Sequence, residues 1–137
     1  WIVIAHDVAR GGLRNFVLAR IGAAEPTGAR FEPPPNFDRD RYLRGSLGRF
    51  TGGSELEVRL AVDAEVAPYL RERPWHASQT IVERADGGIE VSFRLNHLND
   101  IERRILACGA HAEVLAPPEL RERMRVTAAA LHDCYKK

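Results

Sequence analysis

The chain has 137 residues, 45% apolar and 28% charged, with a net charge of +1. That is the composition of a soluble globular protein of one medium or two small domains. It excludes a disordered chain and one drawn to nucleic acid by its overall field.

No stretch reaches the roughly eighteen consecutive apolar residues of a membrane span, and none has the charged head and small-residue cleavage site of a signal peptide. Cys108 and Cys134 are the only cysteines and form no CxxC. A disulfide framework is therefore not expected, and a reducing cytoplasm is the simplest compartment. Arg far outnumbers Lys, and Ala, Gly, Pro and Arg are high together, as biased genomic composition would produce.

The chain opens on "WIVIA", which already reads as a strand with no cap or leader before it. The expectation is a piece taken from the C-terminal part of a longer protein. Gly11-Gly12 supplies positive φ for a turn, and residues 13–21 run back as the second strand of a hairpin. Both faces of these strands are largely apolar, as in a small barrel or sandwich. Residues 23–55 are rich in Pro, Gly and charge, and Pro33-Pro34-Pro35 excludes a helix interior or central strand. Asn36 or Asp38 is placed to cap a short helix through Arg44. The stretch reads as a structured linker ending near Gly52-Gly53, which divides the chain into residues 1–52 and 53–137.

Beyond the linker, Leu56, Val58, Leu60 and Val62 alternate with Glu57 and Arg59, the pattern of a half-buried strand. Residues 64–72 carry Val66 and Leu70 at helical spacing and stop before Pro74. Residues 78–84 and 89–95 flank "ADGG" as a second hairpin. A helix follows over about residues 97–108, with Leu98, Ile101 and Ile105 on one side and Gly109 at its end. "AEVLA" gives a short strand, and Pro117-Pro118 opens a long final helix. Leu120, Met124, Thr127, Leu131 and Tyr135 recur along it at spacings of three and four. The order βαββαβα predicts two split β-α-β units, hence a ferredoxin-like antiparallel sheet with an added C-terminal helix. Leu60, Phe93, Ile101 and Leu131 are expected in one core.

Several segments, taken in order, resemble the C-terminal part of a WYL-domain regulator. Trp1-Ile2-Val3 stands where the family has its Trp-Tyr-Leu run, and only the tryptophan matches. "RNFVLARI" is similar to the family's Arg-x-Phe-x-x-x-Arg-Ile, and "FEPPPNFDRDRYLRGSLGRFTGG" resembles its usual exit. "RPWHASQ", "DGGIEVSFRL" and "PPELRERM" look like the extension, of WCX type, that commonly follows. The resemblance implies a bacterial transcription regulator: a helix-turn-helix head, then a WYL domain of Sm-like or SH3-like β-barrel fold, then this extension. The α+β fold class expected is thus partial barrel strands followed by a ferredoxin-like domain. The DNA-binding head would be absent from this chain. A homodimer is expected, because two-fold operators are common for such regulators and unpaired strand edges invite pairing.

Within the hairpin, Arg14 and Arg20 lie at even spacing, on the face of Phe16 and Leu18. On one reading they sit at strand ends, pair with Asp7 or Glu25 and only solubilise an edge. On the reading implied by the resemblance they belong to a ligand-sensing surface for single-stranded nucleic acid or a nucleotide, with Phe16 stacking a base. Guanidinium forks suit phosphate and aromatic faces suit bases. His6 is a further candidate on that surface. Trp75, His76, Ser78 and Gln79 invite comparison with a polar pocket, but packing of Trp75 and a turn satisfied by His76 and Gln79 is the simpler account.

Nothing in the sequence argues for catalysis, a cofactor or a metal. His132, Asp133 and Cys134 are adjacent on one helix and point apart. His97, His111 and His132 lack zinc spacing. "GSLGRFTGGS" lacks the Gly-Lys-Ser/Thr of a phosphate loop. Two alternatives to a sensor remain: a purely structural dimerisation module, and a ferredoxin-like domain binding a small molecule between its sheet and a partner subunit.

Overall fold

The structure is a computed structural model and describes residues 1–48, 51 and 53–136. Gly52, on which the expected boundary falls, lies outside the described residues, as does Lys137. The fold is α+β, with two antiparallel sheets and four helices among the described residues.

Strands β1 (Ile2–His6) and β2 (Leu13–Val17) form the first sheet, with Val3 opposite Phe16 and Ala5 opposite Arg14. The returning strand is shorter than its apolar pattern predicts. The ladder ends where Ile2 meets Val17 and the Leu18 amide donates to the Trp1 carbonyl at 3.0 Å. Beyond it, Leu18–Arg20 turn as a single 3-10 turn, so Arg20 is not on the strand face that carries Arg14 and Phe16. Helix α1 (Arg39–Leu43) follows the proline run, and Asp38 caps it as expected, accepting from the amides of Asp40 (2.9 Å) and Arg41 (3.1 Å).

The second sheet holds β3 (Leu56–Val62), β4 (Thr80–Glu83), β5 (Ile89–Leu95) and β6 (Ala112–Ala116) in the order β4-β5-β3-β6. Every neighbouring pair is antiparallel. On β5, Ile89, Val91, Phe93 and Leu95 are all at most 1% exposed, while Arg94 between them faces water. Strict alternation explains this: one face of the pleat meets the helices and the other stays wet. Helices α2 (Ala67–Glu72), α3 (Asn99–Ala107) and α4 (Pro118–Tyr135) supply Leu70, Ile101, Ile105 and Leu120 to the same core. Burying each such side chain contributes about 1.5–3 kcal/mol. Helix α2 starts later than its pattern suggests, because the Asp63 carboxylate first takes the amides of Glu65 and Val66 in a turn.

The core expectation fails at Leu131, which is 49% exposed; Tyr135 is 83% exposed. The cause is length. Strand β6 spans about 17 Å, whereas the eighteen residues of α4 span about 27 Å. The helix packs through Leu120 and Met124 and then outruns the strand beneath it.

Trp75 resolves as a packing residue. Its ring stacks on Phe93 at 5.9 Å and 10°, and the Arg104 guanidinium of α3 lies 5.7 Å from its centroid. Gln79 closes the loop below, accepting from the Trp75 amide and donating to the Leu70 carbonyl, both at 2.9 Å. His76 Nδ1 accepts from the Ser78 amide at 3.1 Å. Burial, aided by the Arg104 charge, pushes the His76 pKa below its ordinary value.

Candidate functional site

The hairpin turn is organised by one carboxylate. Asp7 is 9% exposed and accepts from the amides of Ala9 and Arg10, each at 3.1 Å. Its second oxygen lies 3.5 Å from Arg10 Nη1 and 3.5 Å from Arg14 Nε. Burial works against its ionisation, but the Arg10 amide and guanidinium and the Ala9 amide outweigh it and hold the pKa below the usual carboxylate value. Gly11 (φ 64°) and Gly12 (φ 122°) take the positive angles the reversal requires. His6 sits at the end of β1, where its Nε2 accepts from the Gly12 amide at 3.1 Å.

Beside this turn opens a cleft of about 1200 Å³. One wall is the hairpin, with Arg10, Arg14, Phe16 and Arg20. The other is the linker, with Phe37, Arg41 and Tyr42, whose two rings pack at 5.9 Å and 53°. Arg14 keeps about half of its side chain exposed despite its pairing with Asp7. Arg20, on the 3-10 turn, is exposed and makes no ion pair among the described residues. Asp38 also lines the cleft; the Arg41 amide, chief among its contacts, holds its pKa below the usual value.

Thr51, Gly53 and Asn96 complete the lining, so the turn that follows β5 contributes to the cleft. Asn15 Nδ2 of β2 donates to Thr51 Oγ1 at 3.3 Å, and the Nε2–H of His97 donates to the Thr51 carbonyl at 3.1 Å. The Asn96 amide donates to the Gly45 carbonyl at 2.9 Å and its Nδ2 to the Arg44 carbonyl at 2.7 Å. Gly45 is buried at φ 74°, and a Cβ there would stand 2.5 Å from Asn96 Oδ1.

Three residues singled out from the sequence, Arg14, Phe16 and Arg20, thus share one cleft, while His6 supports the turn and is not among its lining residues. The pairing of Arg14 with Asp7 is also what the strand-end reading expects. Sequence reasoning missed Arg10, Arg41, Phe37, Tyr42 and Asn96. The interleaving of aromatic and basic residues in "NFDRDRYL" was the available signal, but nothing local places it opposite the hairpin.

Among the described residues, no three His, Cys, Asp or Glu side chains gather to hold a metal ion, and no helix is long and apolar enough to cross a membrane.

No curated protein matches the chain. A similar solved structure is that of Proteasome accessory factor B/C (PafBC) of Arthrobacter aurescens, with a TM-score of 0.51 and 22% identity. The match covers 100% of this chain and 21% of that one, so the chain spans about a fifth of its neighbour, and the likeness is one of fold. The family model of the WCX domain matches residues 54–131. That is more than half of the chain, it falls on the segments in which the sequence resembled that extension, and the chain therefore belongs to the WCX-domain family.

Proposed function

We propose that this chain is the ligand-sensing and oligomerisation region of a helix-turn-helix transcriptional regulator, a non-catalytic role. The cleft takes single-stranded nucleic acid or a nucleotide-like ligand. One observation carries the reading: Arg10, Arg14, Arg20 and Arg41 converge with Phe16, Phe37 and Tyr42 on a single open cleft. Guanidinium forks bind phosphate oxygens in pairs, and aromatic faces stack bases without regard to sequence. Asp7 and Asp38 face the same space, but each is committed to backbone amides. The volume of about 1200 Å³ exceeds the roughly 300–1,000 Å³ of small-molecule sites, which favours an extended ligand.

In this reading residues 1–52 are the end of a WYL domain of Sm-like barrel fold with its linker. Residues 53–137 form a ferredoxin-like extension, a reading supported by the strand order β4-β5-β3-β6 with α2 and α3 as crossovers. DNA would be read by an N-terminal helix-turn-helix, in the cytoplasm, by a homodimer and without a cofactor.

Titration with a short single-stranded oligonucleotide tests the cleft. Affinity should fall steeply with salt as counterions are released. Arg14→Ala and Arg20→Ala should each lose roughly tenfold to a hundredfold, the worth of a charge-assisted contact. Lysine at either position should restore part, since it keeps the charge and loses the fork. Equal affinities for wild type and both alanine variants would end the reading. A purely structural dimerisation module is the second reading, favoured by exposed Val126, Leu131 and Tyr135 on α4. It predicts dimers in sedimentation, lost in Leu131→Glu, with no oligonucleotide bound.

A further inference from the structure

The Asn96–His97 turn belongs to two things at once. Asn96 lines the cleft, and the same turn leads from β5 into α3. We infer that this turn is the latch through which occupancy of the cleft is passed to the WCX half, by way of Gly45, Thr51 and helix α3. The inference rests on the cleft being a ligand site, as proposed above.

The physical path is continuous. The Asn96 amide and side chain hold the Arg44 and Gly45 carbonyls, while His97 holds the Thr51 carbonyl. Thr51 in turn receives Asn15 of the strand that carries Arg14 and Phe16. On the other side, Leu98 is 4% exposed at the start of α3, and Ile101 and Ile105 anchor that helix in the core. A helix so anchored moves as a unit, and its Arg104 lies over the Trp75 ring. The fit at the latch is close. Gly45 is one of only two buried residues among the first 48, and no side chain can replace its hydrogen without displacing Asn96. Gly53, at φ 91°, would place a Cβ 3.1 Å from the Asn96 carbonyl oxygen. Coupling of this kind is a free energy shared between two sites, so it can be read from either end.

Trp75 provides the readout. The chain has two tryptophans, and Trp1 is fully exposed. In a Trp1→Phe background, emission reports Trp75 alone. A short 5′-phosphorylated oligothymidylate is titrated by calorimetry and by Trp75 emission in parallel. Neither Gly45 nor His97 lines the cleft: His97→Ala frees the Thr51 carbonyl, and Gly45→Ala displaces Asn96 at its edge. His97→Ala should bind with an affinity near that of wild type and Gly45→Ala less tightly, because Asn96 moves. Both should lose most of the emission change, and His97→Gln, which restores a donor toward Thr51, should recover it. If Gly45→Ala fails to fold, His97→Ala carries the comparison. Wild-type binding without a Trp75 change, or an undiminished change in both variants, would overturn the latch and leave the cleft reading standing.

If wild type binds nothing, the cleft reading falls, and a ligand-free measurement decides whether the turn couples the two halves at all. The unfolding equilibria of Asn15→Ala, His97→Ala and the double variant form a cycle across Thr51. Departure from simple multiplication by about fivefold or more supports the link, and independence overturns it.

Discussion

The two halves of this chain hold themselves together differently. Residues 54–136 close a core in which Val58, Leu60, Val62, Ile89, Val91 and Ile105 are fully buried. Among the first 48 residues only Asp7 and Gly45 are buried, while Trp1, Val8 and Phe31 are at least 86% exposed. The second half is organised by area removed from water. The first is organised by a few directional bonds, around Asp7 in the turn, Asp38 at α1 and Asn96 at the junction. The lesson is that the cleft sits where hydrophobic burial is weakest, so its arginines can be changed at little cost to the fold.

The largest test of that contrast is Phe93→Ala. Removing the ring from under Trp75 should destabilise the second half by about 3–5 kcal/mol in denaturant unfolding. Phe16→Ala in the half-buried hairpin should leave the same transition nearly where it was. Comparable losses for the two would erase the distinction.

Next comes Gln79→Ala, which strands the Trp75 amide and the Leu70 carbonyl. A loss of about 1–3 kcal/mol is expected, because a buried group loses its partner. Gln79→Glu keeps the acceptor and should recover only the Trp75 side.

A smaller, pH-dependent effect is expected at His111. Its Nδ1 lies 2.7 Å from Asp63 Oδ2 and its Nε2 3.8 Å from Glu65 Oε1. The hydrogen bond His111 donates to Asp63, then the charges of Asp63 and Glu65, raise the His111 pKa; the same bond lowers that of Asp63. The histidine's share of stability is therefore complete below about pH 6.5 and lost as pH rises through its elevated folded value. The carboxylate's share is present above about pH 4 and lost as pH falls through its depressed one. The melting-temperature gap between wild type and His111→Gln should be widest between these limits and close toward alkaline pH. A gap that widens there would contradict the pairing.

The smallest effect should come from Leu131→Ser. Although the residue falls on the apolar stripe of α4, it is half-exposed, and a change within about 0.5 kcal/mol is expected from thermal unfolding. A core-sized loss would show that the overhanging turns are covered in solution.

The sequence was legible where one physical rule acted alone. Alternation placed β5 at Ile89–Leu95 without error, because that strand meets the core on one face, and "AEVLA", read as a short strand, is β6. It misled at Arg20, which falls on a 3-10 turn and not on the strand, and at Leu131, where helical spacing says nothing of what lies beneath. Arg14, Phe16 and Arg20 could be named through resemblance to a family. Arg41, Tyr42 and Asn96 could not, because only the closed junction brings them to the same space.

The exposed hairpin has a colloidal consequence. Strand β4 is short, and Glu83 at its end is tied by Arg71 through a bidentate pair at 3.1 and 2.6 Å, so that edge of the larger sheet is poorly suited to recruiting another strand. In the two-stranded sheet Ile2 and Val3 are 37% and 41% exposed, and just beyond it Leu18 and Ile21 are 50% and 40% exposed. Self-adhesion at high concentration should therefore begin at residues 1–21. Light scattering that stays unchanged when Val3 is replaced by lysine would place it elsewhere.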